Sequence, residues 1–131
     1  MNSKTILVIE DNEEIMDIVI EEGEKLGLTI IPFEPMSSDK DALCRQLSEL
    51  CKINKIDFTL LDFELWSGFK GYMFAETLHD NKIKFAAFSS SEKNNELLTK
   101  VGASFTVIKD YGSRGFRRDL LIDGLKKMLE F

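Results

Sequence analysis

Three short apolar runs of this sequence, at residues 6–9, 58–61 and 105–108, each end next to a charged side chain. The residues that follow the three runs are, in chain order, Glu10 with Asp11, then Asp62, then Lys109. Carboxylates that lie close together repel and raise one another's pKa, so a cluster of this kind usually indicates a bound cation. The lysine indicates that an anion also binds at the same place.

The elements that position these side chains alternate between strand and helix. Apolar runs predict five strands, at Thr5–Ile9, Thr29–Phe33, Asp57–Leu61, Lys84–Phe88 and Phe105–Ile108. Helical spacing and end signals predict five helices. The first is Glu13–Leu26, with Asn12 as its N-cap, and the second begins with the capping-box pattern Ser38–Asp41. The third ends at about His79, the fourth ends at about Lys100, and the fifth is Arg114–Glu130. Five β/α repeats in series predict an α/β fold, in which a parallel sheet lies between two layers of helices.

Such a sheet brings the candidate residues together. Ligands of open parallel sheets bind at the carboxyl ends of the strands. Ser89 follows the fourth predicted strand, as Asp62 follows the third. The five residues expected at this edge are Glu10, Asp11, Asp62, Ser89 and Lys109. An acidic pocket with oxygen ligands suits Mg²⁺, which usually takes one or two carboxylates together with waters and phosphate oxygens.

The composition is that of an acidic globular chain. Its 131 residues, 44% of them hydrophobic, are expected to form one domain with a sizeable core. The net charge of −6 argues against non-specific nucleic-acid binding, and we interpret the basic trio Arg114, Arg117 and Arg118 as a solvated helix face. Cys44 and Cys51 would lie about 10.5 Å apart on one helix, too far for a disulfide. Free thiols in a reducing cytoplasm are therefore expected.

With this pattern the sequence resembles the receiver domain of two-component response regulators. That family has an acidic pair after the first strand, a phospho-accepting aspartate after the third, a serine or threonine after the fourth, and a lysine after the fifth. At these places this chain has Glu10-Asp11, Asp62, Ser89 and Lys109, with Gly102-Ala103 before the lysine as in the family pattern. The resemblance covers essentially the whole chain. It implies one receiver domain over residues 1–131 with a flavodoxin-like, doubly wound, three-layer fold, strand order 2-1-3-4-5 and five helices.

The resemblance also implies a role for each residue. Asp62 would accept a phosphoryl group from a phosphohistidine and become an aspartyl phosphate. Lys109 would pair with the phosphoryl oxygens, and the Ser89 hydroxyl would move to hydrogen-bond one of them. The implied Mg²⁺ ligands are Glu10, Asp11, Asp62 and the backbone carbonyl of Glu64. The chain would then be a bacterial signalling switch and not an enzyme.

The partners implied by the resemblance are proteins. A sensor histidine kinase or a phosphotransfer protein would donate the phosphoryl group, and a downstream output protein or domain would read it. The expected contact surface is the face of the fourth helix, fifth strand and fifth helix, which is also where a homodimer would form. Direct nucleic-acid binding and a membrane partner are not expected. Because these 131 residues hold no output domain, either a stand-alone receiver or a part of a larger regulator is expected.

Several positions depart from the family pattern. Asp110 follows the lysine, where the family usually has proline after a cis bond; a cis bond here would cost about 2.5–4 kcal/mol, so a trans bond and a rearranged loop are expected. Trp66, in a loop one residue longer than usual, either lies over the site or packs on its own loop. Thr106 stands where the family has its switching aromatic residue, with Phe105 as a candidate substitute. Glu64 adds a carboxylate that either repels hydroxide or competes for the metal.

Two other functions fit parts of the pattern. A pseudo-receiver, which is a binding module not switched by phosphorylation, would account for Asp110, Thr106 and the altered loop. A metal-dependent hydrolase or nuclease of the Toprim type would use an acid after one strand and a pair such as Asp62 and Glu64 after another. The last function leaves the serine and the lysine without a role, so the sequence favours it least.

Overall fold

A five-stranded parallel sheet organises the chain in the computed structural model, which describes residues 4–131. The strands are β1 (Thr5–Ile9), β2 (Thr29–Pro32), β3 (Phe58–Leu61), β4 (Phe85–Ser89) and β5 (Thr106–Ile108). They pair in the order β2-β1-β3-β4-β5. The helices within the same residues are α1 (Glu13–Lys25), α2 (Lys40–Ile53), α3 (Ala75–Asp80), α4 (Glu92–Lys100) and α5 (Arg118–Leu129). The predicted doubly wound, flavodoxin-like α/β fold with strand order 2-1-3-4-5 is confirmed.

Alternation along the central strands divides the core into two layers. Successive side chains of a strand point to opposite faces of the sheet. In β1, Ile6 and Val8 pack in one cluster with apolar residues of α1 and α5. Leu7 and Ile9 pack in a second cluster with α2, α3 and α4. Helices therefore cover both faces, and β1, β3 and β4 are apolar almost throughout because they are buried on both sides.

Side-chain caps mark the beginning of three helices, α1, α2 and α4. The side-chain oxygen of Asn12 accepts a hydrogen bond from Ile15 N at 3.1 Å, which confirms the predicted cap of α1. For α2 the predicted capping box beginning at Ser38 is wrong by one residue. The cap is Asp39, whose carboxylate accepts from Ala42 N at 3.0 Å. Within residues 4–131, no helix is long and apolar enough to span a membrane.

The predicted start of the fifth helix at Arg114 is wrong. Residues 111–116 form a small antiparallel hairpin, with strands β6 (Tyr111–Gly112) and β7 (Gly115–Phe116), and α5 begins only at Arg118. Gly115 takes a positive φ of 100°, which an L side chain rarely adopts and which a helix does not allow. The Tyr111 and Phe116 rings pair across the hairpin with centroids 5.6 Å apart. The bond after Lys109 is trans, as expected.

The basic trio consequently does not share a helix face. Arg114 lies in the hairpin turn. The Arg117 guanidinium contacts Asp119 at 2.7 Å, while Arg118 reaches Glu21 of α1 at 3.1 Å and ties α1 to α5. Arg117 and Arg118 thus pair with different carboxylates.

Both cysteines are free thiols, as predicted. Burial raises the pKa of the Cys51 thiol to about 11, so little of it is thiolate at neutral pH. It is therefore a poor nucleophile there.

Gly124 lets α5 approach β5 closely. A Cβ at this position would lie 2.5 Å from one Val107 methyl carbon and 3.0 Å from Val107 Cβ. Val107 is buried and β-branched, so its side chain has little freedom to give way. We predict that Gly124→Ala lowers the free energy of unfolding by about 1–2 kcal/mol, because overpacking outweighs the gain in helix propensity.

Chemical denaturation measures this change, and Asp123→Ala is the matched control. Asp123 is exposed in the same turn of α5, so its replacement is expected to leave stability unchanged or slightly higher. An equal loss in both variants would contradict the proposed close packing at Gly124.

Candidate functional site

The carboxyl ends of β1, β3, β4 and β5 meet around one cavity of about 250 Å³. Four of the predicted residues are buried at these ends: Glu10, Asp62, Ser89 and Lys109. Asp11 also lines the cavity but is exposed. The structure thus brings together all five side chains that the sequence predicted to converge.

The Lys109 ammonium joins two carboxylates from different strands. Its Nζ lies 2.5 Å from Glu10 Oε1 and 3.0 Å from Asp62 Oδ2. It also sits 4.6 Å from the centroid of the Phe88 ring, which belongs to the intervening strand β4. All three charged side chains are less than a tenth exposed. At such burial an unpaired charge would be very costly, so the three groups depend on one another.

The burial of Glu10 raises its pKa well above that of an ordinary glutamate. Burial raises its pKa to about 8; Lys109 opposes this rise and Asp62 adds to it. Its second oxygen accepts a hydrogen bond from Asn12 N at 3.2 Å, at the start of α1. Glu10 therefore both supports the helix start and faces the cavity.

Asp62 is held in place by the backbone on both sides. Its Oδ1 accepts a hydrogen bond from Phe63 N at 2.7 Å, and its own N–H donates to Ile9 O at 3.0 Å. Gly71 packs directly behind it: a Cβ at residue 71 would lie 1.9 Å from the Asp62 carbonyl oxygen. Only glycine fits there, so the loop after β3 is fixed against the residue predicted to react.

A divalent cation fits the carboxylates present. Oxygens of Glu10, Asp11 and Asp62 all lie within 4.8 Å of one another. Mg²⁺ needs ligand oxygens at about 2.0–2.1 Å in octahedral geometry and keeps several waters, so small side-chain movements would bring these oxygens into range. The carboxylate of Glu64 instead forms an ion pair with Lys70, and Glu64 is not among the three acids that group together.

Ser89 is connected to α4 by hydrogen bonds. Its hydroxyl accepts from Ser91 N at 3.2 Å, and Ser91 in turn caps α4 through Asn94 N. The side-chain amide of Asn95 donates to Ser89 O at 2.8 Å. Sequence reasoning missed Asn95, because an asparagine inside a helix gives no signal of a partner in the preceding strand.

Trp66 lies beside the site and not over it. Its ring packs on Phe33 with centroids 5.9 Å apart. It lines a neighbouring cavity of about 380 Å³, together with Asp11 and Asp17 among others. The two sequence alternatives were cover of the site and packing on its own loop; the structure shows packing against Phe33, at the end of β2.

Phe105 does not substitute for the missing aromatic residue at Thr106. Its ring lies on the α5 side of the sheet, 5.5 Å from that of Phe58. Thr106 and Ile108 lie on the opposite side, where they line a groove of about 640 Å³ against α4. The place where the family's aromatic side chain would be expected is therefore open.

Several solved structures that superimpose on this chain are response regulators or their receiver domains. A response regulator from Thermotoga maritima superimposes with a TM-score of 0.73 at 18% sequence identity, over 99% of this chain and 100% of that one. The chemotaxis protein CheY4 of Vibrio cholerae gives 0.72 at 14% identity, over 97% and 99%. The response regulator TrrA of Thermotoga maritima, solved in complex with Mg²⁺-BeF, gives 0.70 at 22% identity, over 95% and 98%.

This chain has the receiver-domain fold. The resemblance noted in the sequence is thereby confirmed at the level of the fold. No family model matches the sequence, and no curated protein sequence does. At the identities found, similarity to the receiver domains concerns the fold alone, so the roles of single residues depend on the geometry of the site.

The raised pKa of Glu10 predicts how stability changes with pH. Its folded-state value of about 8 lies above the ordinary 4.5, so between these values the folded protein holds a proton that the unfolded protein releases. The free energy of unfolding should therefore fall as pH rises from about 6 to about 8, by at most about 1.4 kcal/mol per pH unit. Urea denaturation in EDTA measures this, and Glu10→Gln should lose that part of the slope. An identical slope in both proteins would contradict the assignment to Glu10.

Proposed function

We propose that this chain is a receiver domain that accepts a phosphoryl group on Asp62 with the help of Mg²⁺. The observation that carries the proposal is the convergence of Asp62 and Glu10 on one buried Lys109 ammonium at the strand ends. The fold is shared with response regulators. Asp11 adds a third carboxylate to the cluster, more negative charge than Lys109 alone would balance, which favours a bound cation. The proposed activity is signalling by a change in protein contacts, not turnover of a substrate.

In the proposed reaction an oxygen of Asp62 attacks the phosphorus of a phosphohistidine. A P–O bond forms, the P–N bond breaks, and its electron pair returns to the imidazole nitrogen of the donor. The Phe63 N–H holds the Asp62 carboxylate in one orientation, and such positioning supplies much of the rate. The Lys109 ammonium, 3.0 Å from Asp62, would stabilise negative charge on the transferring oxygens. Glu10, Asp11, Asp62 and the Glu64 carbonyl would hold Mg²⁺, which would help to neutralise the negative charge on these oxygens.

The Ser89 loop is the proposed route from the site to a partner surface. If the Ser89 backbone shifts as its hydroxyl turns toward a phosphoryl oxygen, the shift would reach α4 through the hydrogen bond that the Asn95 amide donates to Ser89 O. Next to that helix, the groove of Thr106 and Ile108 offers an exposed apolar side chain, Ile108. We therefore propose the face of α4, β5 and α5 as the contact surface for an output protein or a second copy of the chain. The donor would be a cytoplasmic sensor histidine kinase or phosphotransfer protein.

A pseudo-receiver is the second candidate function. Thr106 and the hairpin that follows Asp110 favour it, because both alter the parts through which receivers of the usual pattern would respond. The hydrolase or nuclease of the Toprim type gains no support, since the Glu64 carboxylate turns to Lys70 and not toward Asp62.

Intact mass after incubation with Mg²⁺ and acetyl phosphate or phosphoramidate tests the proposal. We predict a gain of one phosphoryl group, about 80 Da, in the wild type and none in Asp62→Asn, because the amide cannot act as the nucleophile. Glu64→Gln, which changes a carboxylate at the rim of the same cavity, is the matched control and should still be labelled.

The pattern of labelling decides between the two candidate functions. If Mg²⁺ binds but no protein gains mass with either small donor or with a phosphorylated phosphotransfer protein, the chain is a pseudo-receiver. If Asp62→Asn gains as much mass as the wild type, Asp62 is not the acceptor and the assignment of the site is wrong.

Mg²⁺ binding has its own test in thermal unfolding. At a Mg²⁺ concentration ten times the dissociation constant, binding to the folded state should add about 1.4 kcal/mol to the free energy of unfolding. Asp11→Asn should lose this effect because it removes one of the three clustered carboxylates. Asp17→Asn, an exposed acid of α1 outside that cluster, should keep it. Equal responses of both variants would show that the cation binds elsewhere.

A further inference from the structure

Tyr111 stands at the mouth of the Asp62 cavity without a part in the chemistry described so far. It lines that cavity together with Asp62, Lys109 and Ser91 among others. Among residues 4–131, Tyr111 is the one aromatic residue that lines this cavity. Its side chain is 56% exposed, as expected of a group at the rim between cavity and solvent.

A column of aromatic rings fixes Tyr111 to the site. The Lys109 ammonium lies over the Phe88 ring at 4.6 Å. The edge of Phe116 meets Phe88 with centroids 6.4 Å apart, and Tyr111 meets Phe116 at 5.6 Å and 74°. Edge-to-face pairs at such distances are favourable beyond the area they bury. The hairpin that carries Tyr111 is thus packed against Phe88, whose ring supports the Lys109 ammonium.

The base of the hairpin is closed as well. Arg117 N donates to Asp110 O at 2.8 Å, and Tyr111 N donates to the Asp110 carboxylate at 2.9 Å. With its base bonded and its rings packed, the hairpin holds Tyr111 in one place although the ring faces solvent. A side chain held in this way can restrict what enters the cavity.

We propose that the Tyr111 ring slows hydrolysis of the aspartyl phosphate by covering part of the mouth of the cavity. This inference rests on the proposed function. In hydrolysis a water oxygen attacks phosphorus, the P–O bond to Asp62 breaks, and its electron pair returns to the carboxylate while the water proton leaves to solvent or to the released phosphate. Attack in line with the breaking bond requires water to reach the side of the phosphorus that faces away from Asp62, and exclusion of water from that side slows the reaction.

The experiment compares decay of the phosphorylated protein in four forms: wild type, Tyr111→Ala, Tyr111→Phe and Arg114→Ala. Each is labelled with phosphoramidate and Mg²⁺, freed of donor by a desalting column, and followed by intact mass and by release of inorganic phosphate. Tyr111→Ala should lose its phosphoryl group about fivefold faster, because water gains access. Tyr111→Phe keeps the ring and should decay like the wild type. Arg114→Ala, in the turn of the same hairpin but outside the cavity lining, should also decay like the wild type.

The rate of labelling separates cover from damage to the site. Loss of cover leaves labelling of Tyr111→Ala by the small donor as fast as in the wild type or faster. Slower labelling would show that Asp62 or Lys109 is displaced and would overturn the inference. Equal decay of Tyr111→Ala and wild type would overturn the inference and leave the proposed function intact. Equally fast decay of Tyr111→Phe and Tyr111→Ala would also overturn it, because the hydroxyl and not the ring would then be responsible. If the wild type cannot be labelled by any donor, the proposed function fails, and the inference with it.

Discussion

The contact on which the site depends is the buried ammonium of Lys109 between Glu10 and Asp62. β4 lies between the strands that carry Lys109 and Asp62, so the lysine has to reach across it. Phe88 of β4 provides the surface for that crossing, because its ring lies under the ammonium. The contact therefore links three strands through side chains at their carboxyl ends. Because the Phe88 ring lies under the ammonium, the hydrophobic core extends to the charged groups. The core excludes water from these groups and so strengthens the interaction between them.

Charge balance shows how well a divalent cation would fit this arrangement. Three ionised carboxylates and one ammonium leave two negative charges, which one divalent ion neutralises. The pKa of Glu10 is raised mainly by burial and further by the Asp62 carboxylate, so protonation of Glu10 would reduce the negative charge when no ion is bound. A phosphoryl group on Asp62 would replace one negative charge by about two. Lys109 and the hydrogen-bond donors near the cavity, including the Ser89 hydroxyl, would then have to stabilise the added negative charge.

The sequence allowed the sheet and its charged edge to be predicted, because both follow from local patterns. Apolar runs that end in a charge define a buried strand and its carboxyl end at once, so the convergence of Asp62 and Lys109 needed only the rule for parallel sheets. The hairpin at residues 111–116 was missed for a physical reason. Phe116 has helical spacing with the apolar residues of α5, and this pattern concealed Gly115, whose positive φ excludes a helix there. Side-chain contacts between distant segments, such as Asn95 with Ser89, leave no periodic signal at all.

Strand alternation shows why the replacement at Thr106 cannot be repaired by its neighbour. Phe105 and Val107 share the face toward α5, where the Phe105 ring packs at a tilt against Phe58, while Thr106 and Ile108 face α4. Because the period of a strand is two, an aromatic residue one position away always lies on the wrong side of the sheet. Between the end of β4 and α4 the structure instead has a hydrogen bond, which the Asn95 amide donates to Ser89 O. A hydrogen bond responds to a displacement of a few tenths of an ångström, whereas a large ring needs space in which to turn. The groove beside Thr106 is therefore left open in this chain, with the exposed side chain of Ile108 at its edge.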